Sequence, residues 1–570
     1  MFGIYARKST DVLIIGAGGA GMRAAIAAYD AGSSVTIVSK SILGKAHTVM
    51  AEGGIAASVA NVDSKDNWQT HFSDTYVEGG DISNWKMAEI LAKEAPERVY
   101  ELESYGAIFD RTPEGKIMQR AFGGHTYRRL CHVGDKTGLE LMRTLEDQLL
   151  HRKIDVIDEF YVTKLIVDSE GKVAGAFGIR LSNGEFVAID AKTVIIATGG
   201  CGRVYRVTSN SWESTGDGIG LAYDIGAELM DMEMIQFHPT GMVYPPGVEG
   251  ILVTEGVRGE GGILLNSKHE RFMLKYSPKR KELDTRDVVA RSIYAEIQKG
   301  NGTEHGGVYL DISYMGKSFI LSKLPAMYSQ FLKFANVDIT KQPMEVAPTV
   351  HYQMGGIRVD PETGAASVKG LFAAGECTSG LHGANRLGGN SLADILVFGK
   401  RAGTAAGKYA KAAKSAKIAD SIYSAEERRV SSFLNEKGEN PYYVINDLRD
   451  SMSNHVGIIR SETELNIALE SILAFKKEYL KVGVNGKHAY NKGLLACLEL
   501  GNMLIACEGI VRSALMRKES RGAHARSDFP ERSEKWHVNI ICRRSSGKMK
   551  LDTREVPELP QRLAKIIKRG

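Results

Sequence analysis

Cysteine is scarce in this chain of 570 residues. The six present, Cys131, Cys201, Cys377, Cys497, Cys507 and Cys542, are widely scattered and form no CxxC pair. They offer no zinc or iron-sulfur ligand set, and reduced, mostly buried thiols are expected. Long apolar runs are also missing to the eye, so no transmembrane helix is predicted and a soluble body is expected. The start, MFGIYARKSTDVLII, has neither a separate apolar stretch nor the small-residue cleavage site of a secretory signal. Charge of one sign is not in excess overall, with 73 Lys/Arg against 68 Asp/Glu. The imbalance is local: residues 511–570 hold 16 Lys/Arg against 7 Asp/Glu. Such a tail suits either a solvated face or an anionic partner or membrane surface. It lacks the interleaved aromatics of a nucleic-acid binder, and no nucleic-acid partner is predicted.

What is there begins with a βαβ unit. DVLII at 11–15 reads as a buried parallel strand, followed by the turn Gly16-Ala-Gly18-Gly19-Ala-Gly21 and an alanine-rich helix. The glycines permit a tight turn and let a pyrophosphate reach the helix N-terminus. The second strand, SVTIVSK, ends in Ser39-Lys40 where an NAD site usually places an acid, which argues against NAD. TVIIATGGCG at 193–202 and GLFAAGECTSG at 370–380 repeat the strand-then-glycine design and are predicted to return to the same sheet. Chain length predicts several domains. The fold class expected is multi-domain α/β. A doubly wound nucleotide-binding domain spans 5–232 and 352–415, with an inserted α+β capping domain at 233–351. A helical domain at 420–520 and an irregular basic tail at 521–570 follow. The Ala/Lys run at 402–417 is predicted to be a linker.

The stretch Ala46-His47-Thr48-Val49-Met50-Ala51-Glu52-Gly53-Gly54 resembles the place where succinate dehydrogenases and fumarate reductases carry a flavin-bound histidine. The resemblance runs through nearly the whole chain, by way of blocks at 210–218, 236–241, 253–262, 286–292, 351–357 and 382–392, to Arg521-Gly-Ala-His524-Ala-Arg526-Ser-Asp528. It implies FAD held covalently through His47. The cradle would comprise Gly16, Gly18, Gly19, Gly21, Ser39, Lys40, Thr48, Gly53, Gly54, Asp217, Glu376, Ser391 and Leu392. Taken alone, His47 would be an ordinary loop histidine and Asp217 a turn-forming residue.

A dianion in a partly dry cleft needs charge-assisted donors at both ends. By the same resemblance His238, Thr254, His351 and Arg386 hold the dicarboxylate, and Phe122-Gly123-Gly124 closes over it. Arg286 moves the proton that accompanies hydride transfer, through a relay of Glu255 and Arg258. Read without the resemblance, Arg386 would pair with a structural acid and Arg286 with its neighbour Asp287. The histidines have no partners at ligand spacing, so no catalytic metal is predicted.

With no second nucleotide motif and no cluster ligands, the flavin needs an electron partner. The resemblance implies an iron-sulfur subunit joined to membrane-anchor subunits that handle quinone, which places the chain peripherally on the cytoplasmic face of the cell membrane. The physiological direction stays open, with Glu52 leaning toward a menaquinone-linked or fumarate-reducing enzyme. The alternatives are L-aspartate oxidase, a soluble thiol-linked fumarate reductase subunit, or a flavin-binding protein of such an assembly that has lost its chemistry. His47, His238, Arg286, His351 and Arg386 together disfavour the first and the last.

Overall fold

The computed structural model describes residues 5–416 and 418–568. Its centre is a seven-stranded sheet whose valine- and isoleucine-rich strands are buried on both faces. Strand Ala6–Ile15 lies parallel between Val35–Val38 and Phe186–Ile196. Phe186–Ile196 in turn pairs parallel with Leu371–Ala373 and antiparallel with Val173–Arg180. The two returning strands read from the sequence are therefore in this sheet.

Helix Gly19–Asp30 leaves the first strand through the glycine turn and packs along helix Asn390–Ala412. The packing is close because Gly399, Gly403 and Gly407 face it; a Cβ on Gly403 would stand 2.1 Å from the Ala24 carbonyl oxygen. This corrects the linker reading. Residues 402–412 are the end of a core helix, since alanine and glycine there serve close approach; residue 417 of that run lies outside the described residues.

Between residues 233 and 351 a four-stranded antiparallel sheet, ordered Ile235–Met242, Met344–Gln353, Val308–Asp311, Ile263–Leu265, encloses its own apolar core. Helices Asp420–Ser431, Pro441–His455, Glu462–Glu478 and Lys492–Met516 follow. The last is long and apolar enough to cross a membrane, which the sequence reading missed, yet 72% of its apolar window is buried inside the protein. It is the core helix of this region.

The tail is not irregular. Val538–Ser545 and Lys548–Glu555 form a hairpin joined to Leu229–Met230, and Leu563 packs with Phe72 and Tyr76. Much of its basicity is spent internally. Arg521 pairs with Glu519 and Arg526 with Asp528. Arg532 pairs with Asp81, Arg543 and Arg554 with Glu228, and Arg562 with Glu89. The tail's local excess of positive charge meets acids brought from residues 81–228, which a count along the chain cannot register.

Candidate active site

All the cofactor and substrate residues named from the sequence except Gly21, together with Arg286 and Glu255, line one elongated cavity. It encloses about 1650 Å3, part of it open to solvent. Gly21 and Arg258 stand behind its wall.

At one end lies the glycine turn. Gly16 adopts φ +111°, and a Cβ there would stand 2.2 Å from the Ala197 carbonyl oxygen; one on Gly21 would lie 1.9 Å from the Gly16 oxygen. Helix Gly19–Asp30 begins with no acidic residue in its first turn and no side-chain cap. Its N–H groups therefore face the cavity with the positive end of the dipole, as a pyrophosphate requires. Thr48 Oγ1 accepts from the Gly19 nitrogen at 3.3 Å.

Ser39 is buried, and Lys40 Nζ donates to Asp217 Oδ2 at 2.7 Å, Thr215 Oγ1 at 2.8 Å and Glu499 Oε1 at 2.8 Å. These acids raise the lysine's proton affinity against the cost of burial. Glu499, from the helical region, closes this end and was not among the sequence candidates. Glu376 accepts from the Gln353 nitrogen at 3.1 Å, and burial pushes its carboxyl up to about 7. Glycine cradle, helix terminus and polar pocket together fit FAD.

At the other end three imidazoles stand in a row. The His351 ring centroid is 6.4 Å from His47 and 5.1 Å from His238. Burial, aided by Arg386, lowers His47 to about 4; burial with nearby arginines lowers His238 and His351 well below the usual range. All three are neutral. His47 Nδ1 accepts from the Ser211 nitrogen at 3.3 Å, His351 Nδ1 meets Ser209 Oγ at 2.8 Å, and His238 Nδ1 accepts from the Thr240 nitrogen at 3.2 Å, which leaves its Nε2–H free to donate.

Arg386 carries the strongest signal. Its guanidinium lies 4.2 Å from the Tyr352 ring centroid, donates to Ser391 Oγ at 2.9 Å and to Gln236 Oε1 at 3.1 Å, and leaves Nε without a partner. Among the described residues no acid lies within salt-bridge distance of it, so the structural-acid reading fails. Burial, with Arg286 adding repulsion, lowers Arg386 to about 9.

Arg286, first residue of helix Arg286–Glu296, donates from Nε to Glu255 Oε2 at 2.8 Å and from NH1 to Gln236 Oε1 at 3.1 Å. Its neighbour Asp287 instead pairs with Arg291 at 2.7 Å, so the local ion-pair reading also fails. Glu255 accepts from the Gly123 nitrogen at 2.7 Å and lies 3.7 Å from Arg258. Burial opposes its ionisation, yet Arg286 and Arg258 hold it down at about 2. Arg258 continues to the Glu282 carbonyl oxygen at 2.5 Å, and Glu282 reaches the surface through Arg271 at 2.6 Å.

The ring of buried Phe122 backs Gly53, where a Cβ would stand 2.7 Å from it; Gly54 has φ +128°, Thr254 is fully buried in the wall, and Leu392 is a buried lining residue. Gln236, which joins Arg286 to Arg386, was not named from the sequence, although its QFHPTG block was; an amide gives no chemical signal of its own there.

Fold and cavity together define an FAD-dependent oxidoreductase. Residues 11–392 match the FAD binding domain family, and residues 445–562 match the fumarate reductase flavoprotein C-terminal family. The chain is 49% identical over 535 residues to a protein of the CoM/CoB fumarate reductase of Methanothermobacter marburgensis, covering 94% of this chain and 97% of that protein. It is 39% identical to the succinate dehydrogenase flavoprotein subunit of Rickettsia bellii over 96% of this chain and 95% of that one. Among solved structures, Mycobacterium smegmatis Sdh1 in complex with UQ1 superposes with TM-score 0.88 at 50% identity, over 98% of this chain and 96% of that one. FrdA of E. coli quinol fumarate reductase gives TM-score 0.93 at 36% identity, over 97% and 98%. The chain belongs to the succinate dehydrogenase/fumarate reductase flavoprotein family, and its reaction is the FAD-dependent interconversion of succinate and fumarate.

Proposed function

We propose that the two ends of the cavity divide the work, with FAD attached at His47 and the dicarboxylate held between His238, Thr254, His351 and Arg386. The observation that carries this is Arg386, a buried guanidinium without an acidic partner, facing the same cavity as three neutral histidines. A buried cation of that kind is stable only when a ligand supplies the anion. The neutral His47 ring keeps the lone pair that a bond to carbon needs.

When bound, FAD supplies the two-electron acceptor or donor for hydride exchange with the substrate. Arg386 takes one carboxylate in its fork, and His238, His351 and Thr254 donate to the other. Arg286 gives or removes the proton at the neighbouring carbon. Glu255, a carboxylate lying between two arginines, returns the proton by way of Arg258. Phe122 and the glycines after it exclude water, and the 233–351 region acts as the lid over the FAD-binding domain of 5–232 and 352–415.

Electrons leave or enter through an iron-sulfur subunit joined to membrane anchors, with this chain on the cytoplasmic face. A thiol-linked assembly is the second reading, favoured by the 49% identity to the methanogen protein named for CoM/CoB. The test is made on the assembled enzyme. Acid-denatured protein should retain yellow fluorescence that His47→Ser abolishes, and that variant should keep some fumarate reduction while losing succinate oxidation. Release of FAD from the unaltered enzyme by acid would refute the attachment. Rates in both directions with one artificial carrier set the catalytic bias.

A further inference from the structure

Helix Trp68–Glu78 supplies no residue to the site described above, yet its inner face grips the loop that carries Arg386. His71 Nε2 lies 2.9 Å from Asn390 Oδ1, and Asn390 Nδ2 donates to Thr75 Oγ1 at 2.9 Å. One turn on, Glu78 Oε1 accepts from Asn385 Nδ2 at 2.6 Å. The same nitrogen gives its second proton to Asp287 Oδ1 at 2.9 Å, while Asn385 Oδ1 accepts from Gln236 Nε2 at 2.8 Å. One buried amide thus ties a helix of the nucleotide-binding domain to a strand and a helix of the inserted region. Arg386 is the next residue after Asn385, and Arg286 the residue before Asp287.

An amide that gives one N–H to each of two carboxylates brings like charges close together, and that repulsion raises the proton affinity of the one that lacks a cation. Asp287 is the anion: burial works against it, but Arg291 at 2.7 Å and the Thr285 hydroxyl at 2.6 Å hold it low. Glu78 is partly buried, and among the described residues no cation lies within salt-bridge distance of it. Burial and then Asp287 hold its carboxyl well above the usual carboxylate range; Arg286 and Arg280 oppose this, and Glu255 adds to it. On its own helix Asp74 is taken up by Arg129 at 2.9 Å, and nearby His125 is held neutral by burial and Arg129. Glu78 Oε2 lies under Gly124, where a Cβ would stand 3.3 Å away, while Glu255 holds the preceding Gly123 nitrogen. The two carboxyls flank the glycine pair from different sides.

We propose that Glu78 is a positioning residue for the succinate/fumarate reaction: through Asn385 it clamps the Arg386 loop against the Arg286 helix. Ionisation of Glu78 sets a second negative charge beside Asp287 on that one amide and loosens the clamp. The inference rests on the roles proposed for Arg286 and Arg386. E78Q keeps an acceptor oxygen for Asn385 and cannot ionise, whereas E78A breaks the joint.

In the assembled enzyme, E78A should raise the dicarboxylate KM by about tenfold, the cost of one lost buried hydrogen bond, at unchanged FAD content. E78Q should recover most of that loss and remove one ionisation from the pH profile of KM. Equal KM values for E78A and the native enzyme would overturn the proposal, and so would a native pH profile of KM in E78Q. If E78A does not fold, the E78Q profile decides. R286A that still turns over refutes the role of Arg286 whatever E78Q does; R286A inactive with an E78Q pH profile like the native one, or with native KM in E78A, refutes this inference alone.

Discussion

Two clusters of buried arginine in this protein share a composition and differ in balance. Around Arg517 the cations are matched: it meets Glu233 at 2.6 Å, Glu519 at 3.2 Å and Asp231 at 3.4 Å, and Arg521 shares Glu519 at 2.6 Å. At the cleft, Arg286 and Arg386 in the lining and Arg258 behind it have one acid in contact, Glu255, which leaves cation in surplus there. Buried arginine is therefore no guide to function by itself. What separates a packing cluster from a binding one is the missing anion.

The comparison breaks first at Arg286. R286A should lower kcat by about 10³- to 10⁴-fold, the reach of a positioned acid or base, with dicarboxylate affinity and FAD content nearly intact. Turnover measured beside ligand-induced changes in the flavin spectrum checks both halves. If R286A turned over normally but bound weakly, all the surplus charge would be for holding. R386A should instead weaken substrate and transition state together, costing about 3 kcal/mol in kcat/KM, because it leaves a desolvated carboxylate unpaired.

Arg517→Ala should cost about 3 kcal/mol or more of stability, since Glu233 and Asp231 lose their cation in the interior. Denaturant midpoints would register it, and the folded fraction should keep the native KM. A changed KM with unchanged stability would erase the distinction between the clusters.

How far the sequence foretold this differs by region for physical reasons. The glycine turn and the strands of the central sheet follow from local rules, since a tight turn at Gly16 and doubly buried valine and isoleucine runs leave a one-dimensional signature. His238, His351 and Arg386 were named by likeness to a family; their convergence is a property of the fold. Gln236, Asn385, Glu78 and Glu499 went unnamed, because an amide or a carboxylate announces a role only through its partners. Those partners are far off: Asn385 lies 307 positions from Glu78, and Lys40 lies 459 from Glu499. The two misread segments, the run at 402–412 and the tail after 521, failed alike. Small residues and basic residues look like linker and surface along the chain, yet Gly403 lies against Ala24 and Arg521 is buried with Glu519.

The smallest effect expected is also the one that reads the cleft's charge most directly. Glu52 lines the cavity with Thr254, and its Oε2 has no protein partner. Burial pushes its carboxyl up to about 8, with Asp135 adding to the effect and Arg120 opposing it. Below that pH the group is neutral; above it the cleft gains one negative charge. In the folded chain Glu52 keeps a proton that the unfolded chain, near the ordinary glutamate value of about 4.3, has already released. Its contribution to stability therefore declines as pH rises through that interval. Through Glu52, dicarboxylate affinity should fall above about pH 8, by at most about tenfold per unit as one ionisation permits, in addition to any change that Glu376, near 7 in the same cavity, brings at lower pH. E52Q should lose this step while keeping the one assigned to Glu78. Dissociation constants for succinate, followed through the flavin spectrum across pH 6 to about 9.5, supply the measurement. Parallel curves for native and E52Q enzyme would mean that another group sets the charge of the cleft.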